Sequence, residues 1–279
     1  MKSKPEELYL NLLKKTLTFT LWPEPPIDLE KYNYSLNPIK RNFYSLIVWV
    51  LNKAGFTLCK KRKITESQRL EGKLFPPGYG DTMIGIKRLE NLQDCIESVI
   101  YDDVEGDFIE TGVWRGGACI FMQAILASYG IENRKVIMAD SFEGLPKPDT
   151  ENWPKDKHDK NYTYQFLAVS QEEVENNFKK YGLLDDKVIF LKGFFKDTLP
   201  NAPVDQLAIL RLDGDMYEST MVALESLYPK LSVGGFCIID DFSLKGAKAA
   251  VEDYRQKFNI DEEIQEIDWT GVYWRKMKI

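Results

Sequence analysis

The stretch Asp107-Phe-Ile-Glu-Thr-Gly-Val-Trp-Arg-Gly-Gly117 decides the fold. Asp107 to Val113 has the composition of a buried strand. Gly116 to Tyr129 has that of a helix, closed by Gly130. The glycines between them permit a tight turn and a close backbone approach at the helix start. The dinucleotide pattern GxGxxG is absent. An acidic side chain, Glu110, stands at the mouth of the turn instead. A carboxylate there repels a pyrophosphate and attracts a ligand that carries an amino group. A purely structural glycine turn is the plain alternative.

Downstream the same alternation repeats. Strands are expected at Lys135–Asp140, Val188–Leu191, Leu207–Leu212 and Gly235–Ile239. Helices are expected at Ser170–Tyr181, closed by Gly182, at Glu218–Leu231 and at Lys245–Phe258. Met221, Leu224, Leu227 and Tyr228 share one helix face. Two short strands, Ile264–Ile267 and Val272–Met277, close the chain as an antiparallel hairpin. Apolar strands alternating with helices give an α/β fold with a mostly parallel sheet covered on both faces. Ligands of such sheets sit beyond the carboxyl ends of the strands, at the switch point.

Upstream the chain reads as a helical preface, residues 1–77, before the body, 78–279. Pro5–Phe19 is amphipathic, with Tyr9, Leu12, Leu13 and Thr16 on one side, and Pro23, Pro25 and Pro26 end it. Residues 27–42 look irregular, a second helix spans about 42–54, and Pro76-Pro77-Gly78 marks a turn.

The net charge of -6 over 279 residues argues against a nucleic-acid backbone as partner. Four scattered cysteines fit neither zinc spacing nor a disulfide framework, so free thiols in a reducing cytoplasm are expected. No secretory signal is legible. The apolar run from Phe43 to Leu58, broken by Asn52 and Lys53, is too short to span a bilayer. Lys60-Lys61-Arg62-Lys63 follows it, so segment 43–63 suits a contact with the domain or a second subunit; membrane-surface contact is the alternative.

The chemistry concentrates after the strands. S-adenosylmethionine has an amino group for Glu110, a sulfonium and no phosphate. Asp140-Ser141-Phe142-Glu143-Gly144 places an acidic group where a ribose would lie. Leu212-Asp213-Gly214-Asp215 and Ile239-Asp240-Asp241 end two further strands. Asp213, Asp240 and Asp241 could face one point, where their mutual repulsion needs a cation. Hard oxygen ligands select Mg²⁺, Ca²⁺ or Mn²⁺. Asp215 is placed to act as general base; helix capping is the alternative use of these carboxylates. The single histidine, His158, lies in the polar loop 146–165 with Trp153, Tyr162 and Tyr164, a candidate lid.

These stretches resemble the macrocin O-methyltransferase (TylF-type) family, which includes mycinamicin and novobiocin deoxysugar O-methyltransferases. The matching segments include Thr82-Met-Ile-Gly85, Arg88-Leu89, IETGVWRGGAC (109–119), ADSFEGLP (139–146), LRLDGDMYEST (210–220), IIDD (238–241) and DWTGVYWR (268–275). The resemblance covers about residue 78 to the end. It implies a Rossmann-like class I fold that uses S-adenosylmethionine and Mg²⁺. It implies Asp213, Asp240 and Asp241 as metal ligands and Asp215 as base. Cofactor contacts are implied at Thr82, Met83, Glu110, Gly112, Val113, Trp114, Asp140, Ser141, Phe142 and Gly144. Gly193 and Phe194 match the region near the adenine. The acceptor it implies is a sugar hydroxyl on a glycosylated natural product, and it points to a homo-oligomer. Asp81 stands where members often carry histidine, and the apolar 43–58 segment is atypical. Both bear on acceptor choice, so a cell-surface glycan or glycolipid precursor is the alternative acceptor. A nicotinamide oxidoreductase and a non-catalytic interaction module are the rival readings.

Overall fold

A computed structural model of the chain describes residues 3–29, 38–75 and 77–278. The preface contains helix α1 (Lys4–Leu17), the short strand β1 (Ile27–Asp28), helix α2 (Pro38–Lys53), strand β2 (Cys59–Lys60), antiparallel to β1, and helix α3 (Glu66–Leu70). The body opens with α4 (Ile86–Tyr101). It continues through β3 (Asp107–Thr111), α5 (Gly117–Ser128), β4 (Val136–Asp140), α6 (Gln171–Tyr181) and β5 (Val188–Lys192). After a single turn, α7 (Phe195–Thr198), come β6 (Leu207–Leu212), α8 (Tyr217–Leu227), β7 (Leu231–Ile239) and α9 (Lys245–Lys257). The hairpin β8 (Gln265–Glu266) and β9 (Val272–Arg275) ends the chain.

The strand order is β5-β4-β3-β6-β7-β9-β8. The first five run parallel, and β9 runs antiparallel to both of its neighbours, β7 and β8. The chain therefore winds outward from β3 to β5, crosses back, and winds outward again from β6. The switch point lies between β3 and β6, where Asp213 N–H donates to Thr111 C=O at 2.9 Å. Successive residues of the central strands enter opposite layers: Phe108, Val136 and Ile238 face α4, α5 and α6, whereas Ile109, Ile137 and Ile239 face α8 and α9.

Helix α1 is built by a capping box, in which Ser3 Oγ accepts from Glu6 N–H and Glu6 Oε2 from Ser3 N–H. Its buried face differs from the sequence expectation. Leu10, Leu13 and Leu17 are inside, while Tyr9 and Leu12 are exposed. Those leucines share the core layer of α4 and α5. At about 1.5–3 kcal/mol per buried side chain, they fasten α1 to the body. Helix α4 was not anticipated; its Leu89, Leu92, Ile96 and Val99 pave the same layer.

Helix α2 begins four residues earlier than expected, at Pro38, and leaves Phe43, Leu46, Trp49 and Val50 exposed. Of the segment expected to be irregular, 30–37 lies outside the described residues, as does Pro76 of the expected turn. No helix among the described residues is long and apolar enough to cross a membrane. All four cysteines are free, and only Cys59 is exposed.

Candidate active site

An open cleft lies beyond the carboxyl ends of β3, β4 and β6. Met83, Gly112, Trp114, Asp140, Ser141, Gly144, Phe194, Asp213 and Asp215 line it, joined by Leu145, Phe195, Lys196, Glu218 and Ser219. Most of the expected cofactor residues therefore share one cavity with the expected base. The others sit behind it. Val113 and Phe142 are buried. Gly193, at φ +144°, donates its N–H to Asp140 C=O at 2.9 Å. Thr82 packs against Gly117, where an added Cβ would lie 2.6 Å from the threonine Cβ.

The turn after β3 is set by close approach. Gly112 has φ +83°, and a Cβ there would stand 1.8 Å from Asp213 C=O. Three non-glycine residues also hold left-handed backbone, Trp114 and Asp215 on the cleft wall and Phe142 buried behind it. Each such residue costs about 1–3 kcal/mol, and such strain gathers at functional sites. Asp140 explains part of the cradle. Its carboxylate accepts from Val113 N–H at 2.8 Å and Phe142 N–H at 2.7 Å, tying the two glycine-containing turns together. Burial still raises its pKa above the usual range despite those donors.

Glu110 is not on the cleft wall. It is 2% exposed and is engaged by Arg211, while Cys119 Sγ donates to its second oxygen at 2.8 Å. The sequence reading missed Arg211. Its signal was a guanidinium inside the apolar strand Leu207-Ala-Ile-Leu-Arg-Leu212, since arginine is almost never fully buried unless paired. Arg211 also bonds Asp240 and reaches Asp213 at 3.1 Å. One charge is thus shared among three carboxylates.

Asp213, Asp240 and Asp241 converge, each offering an oxygen within 4.8 Å of the others. Burial, then the Asp240 and Asp241 charges, hold Asp213 well above its ordinary range. Burial and the Asp215 and Asp240 charges push Asp241 up to about 8. Asp240 behaves oppositely. Burial acts to raise it, but Arg211 and Arg88 outweigh that and keep it low. Asp215 follows on the same loop, and its N–H donates to Asp241 Oδ2 at 3.0 Å. Burial, then Asp213, Asp159 and Asp240, push its pKa up to about 8.

The capping alternative does not hold for these residues. The α8 N-terminus is capped by Asp156 of the 146–165 loop, which accepts from Tyr217 N–H at 2.7 Å and Glu218 N–H at 2.9 Å. The α9 N-terminus carries no side-chain cap. The loop is pinned further where Trp153 packs on Tyr217, and just past its end Trp114 Nε1 donates to Phe166 C=O at 2.9 Å. His158 is exposed and does not line the cleft.

A family model described as Macrocin-O-methyltransferase (TylF) matches residues 6–276. Demethyldecarbamoylnovobiocin O-methyltransferase of Streptomyces niveus is 51% identical, over 97% of this chain and 94% of its own length. An 8-demethyl-8-(2,3-dimethoxy-alpha-L-rhamnosyl)-tetracenomycin-C 4'-O-methyltransferase of Streptomyces olivaceus is 44% identical, over 99% and 95%. The solved structure of the O-methyltransferase NovP superposes with a TM-score of 0.82 at 43% identity, covering 98% of this chain and 100% of that one.

Proposed function

The chain belongs to the TylF macrocin O-methyltransferase family and is an O-methyltransferase of Rossmann-like, S-adenosylmethionine-dependent fold. From that premise we propose that it methylates a sugar hydroxyl of a glycosylated small molecule with the help of a divalent cation, Mg²⁺ by preference. The observation that carries the reading is the convergence of Asp213, Asp240 and Asp241 where Asp213 and Asp215 line the cleft; Asp240 and Asp241 stand behind that wall. The donor set fits such an ion. It consists of hard carboxylate oxygens, and the raised Asp213 and Asp241 pKa values mark negative charge that Arg211 and Arg88 leave uncompensated. When bound there, the ion supplies Lewis acidity and orients neighbouring acceptor oxygens.

The protein's own residues do the rest. Gly112, Trp114, Asp140, Ser141 and Phe194 form the donor's cradle, with Asp140 toward the ribose. Asp215 takes the acceptor hydroxyl proton on its carboxylate; burial and the neighbouring carboxylates raise its pKa to about 8 without a cation, and the charge of a bound cation would favour the ionised form that the role needs. The acceptor oxygen bonds to the methyl carbon as the carbon–sulfur bond breaks, and the pinned 146–165 loop limits water. Glu110 acts through Arg211 in this reading, holding the β3 turn and the acidic cluster in register.

The preface, residues 1–77, serves as a lid and oligomer contact in this reading; none of its described residues lines the cleft itself. The exposed stripe Phe43, Leu46, Trp49 and Val50 suits a second copy of the chain. Replacing Asp215 with Asn tests the base. Turnover is expected to fall by about 10²–10⁴-fold, with S-adenosylhomocysteine affinity unchanged; full turnover would remove Asp215 from the role.

A further inference from the structure

Two of the motifs that carry the resemblance, Arg88-Leu89 and Asp268-Trp-Thr-Gly271, are given no role by the cleft. Neither lines it. The structure brings them together behind Asp240. Arg88, on the first turn of α4, bonds Asp240 Oδ2 through one terminal nitrogen, while its Nε donates to Asp268 Oδ2 at 3.0 Å. Asp268 is itself fixed, because its Oδ1 accepts from Thr270 N–H at 3.0 Å and Gly271 N–H at 2.8 Å. The same turn returns to the end of β7, where Thr270 Oγ1 donates to Asp240 C=O at 3.0 Å. Both charged side chains are buried, Arg88 to 6% and Asp268 to 2% exposure.

We propose that Arg88, aligned by Asp268, is the positioning residue that fixes the Asp240 carboxylate for the divalent cation. The inference rests on the cation reading above. Its physical basis is the planar guanidinium, whose donors stand in a rigid fork. With Nε held by Asp268, the terminal nitrogen can meet Asp240 in one orientation only. Arg211 bonds the other oxygen, Oδ1. A carboxylate held at both oxygens cannot turn about its Cβ–Cγ bond, so its remaining lone pairs keep one heading toward Asp213 and Asp241. Outer partners of this kind tune a metal site nearly as strongly as the ligands do. The arrangement also assigns the C-terminal hairpin a task at the site, although it contributes nothing to the cleft wall.

The test is Mn²⁺ titration of the full chain, followed by electron paramagnetic resonance, with S-adenosylhomocysteine affinity measured in parallel. Arg88→Met is expected to weaken Mn²⁺ binding about 10–100-fold and to leave S-adenosylhomocysteine affinity within twofold. Arg88→Lys keeps the charge but not the fork, and is expected to recover only a minor part of the loss. Should Arg88→Met not fold, Asp268→Asn carries the same test, because it preserves volume and removes the alignment of Arg88. The double variant is expected to lose no more than the worse single one, since both act along one path. Wild-type Mn²⁺ affinity in Arg88→Met, full recovery in Arg88→Lys, or equal loss of Mn²⁺ and S-adenosylhomocysteine binding would overturn the proposal. The cation reading fails separately, if the wild-type protein binds no Mn²⁺ or if Asp213→Asn leaves binding intact.

Discussion

Replacing Gly112 with alanine perturbs the cofactor turn and the acidic cluster at one atom. The backbone there has φ +83°, which costs a side-chain-bearing residue about 1–2 kcal/mol. The added methyl would also stand 1.8 Å from Asp213 C=O. Ordinary contact lies near 3.5 Å, so one strand end must retreat by about 1.7 Å. Overpacking of that kind costs about 1–3 kcal/mol more. The sum, about 2–5 kcal/mol, is a large fraction of a typical domain's 5–15 kcal/mol. Gly130 supplies the control. Its φ is +66°, with nothing within 4 Å of an added Cβ, so Gly130→Ala isolates the left-handed penalty of about 1–2 kcal/mol. Urea unfolding followed by circular dichroism compares the two. Gly112→Ala is expected to lose clearly more stability, and S-adenosylhomocysteine affinity with it. Equal losses in the two variants would refute the close-approach argument.

Further outcomes follow from the electrostatics and the loop contacts. In the metal-free protein, Asp215 and Asp241 keep their protons up to about pH 8 when folded and lose them near 4 when unfolded. The native state therefore binds more protons across that window, and its stability falls as pH rises. Saturating Mg²⁺ relieves the same repulsion, so the thermal shift between Mg²⁺ and EDTA is expected to grow from about pH 6 to about pH 8.5; a flat shift would contradict it. Asp156→Ala removes the cap supplied to α8 from another segment. It is expected to cost about 1–2 kcal/mol and to make 146–165 the first site of limited proteolysis. Phe43→Ser with Trp49→Ser is expected to lower the assembly mass seen by light scattering, if α2 covers a second copy.

Much of the body was legible because continuous apolar strands and helix-closing glycines are local signals. Leu207–Leu212 was placed to the residue, and the acidic strand ends emerged from topology alone. The pairing of those ends was not legible. Glu110 was assigned to a ligand's amino group on charge grounds; its ion pair with Arg211, 101 residues away in sequence, forms because β3 and β6 are neighbours and place the two residues in direct register. Helix α4 carried a readable stripe, Leu89, Leu92, Ile96 and Val99, but no proline or capping residue announced it, and its N-cap is Gly85 without a side-chain bond. The face of α1 was only partly legible: Leu13 is buried as expected, but Leu10 and Leu17 take the place of Tyr9 and Leu12, because which stripe is buried depends on α4 and α5, not on α1.

The most direct test of the account is methyl transfer from labelled S-adenosylmethionine to demethyldecarbamoylnovobiocin, chosen as the acceptor named for a 51% identical relative, and to a panel of other deoxysugar glycosides. It would be run with Mg²⁺, with EDTA, and with Asp213→Ala. Labelled O-methyl product is expected on at least one glycoside with Mg²⁺, with loss of product in EDTA and no recovery by Mg²⁺ in the variant. Undiminished transfer in EDTA and in Asp213→Ala would contradict the account.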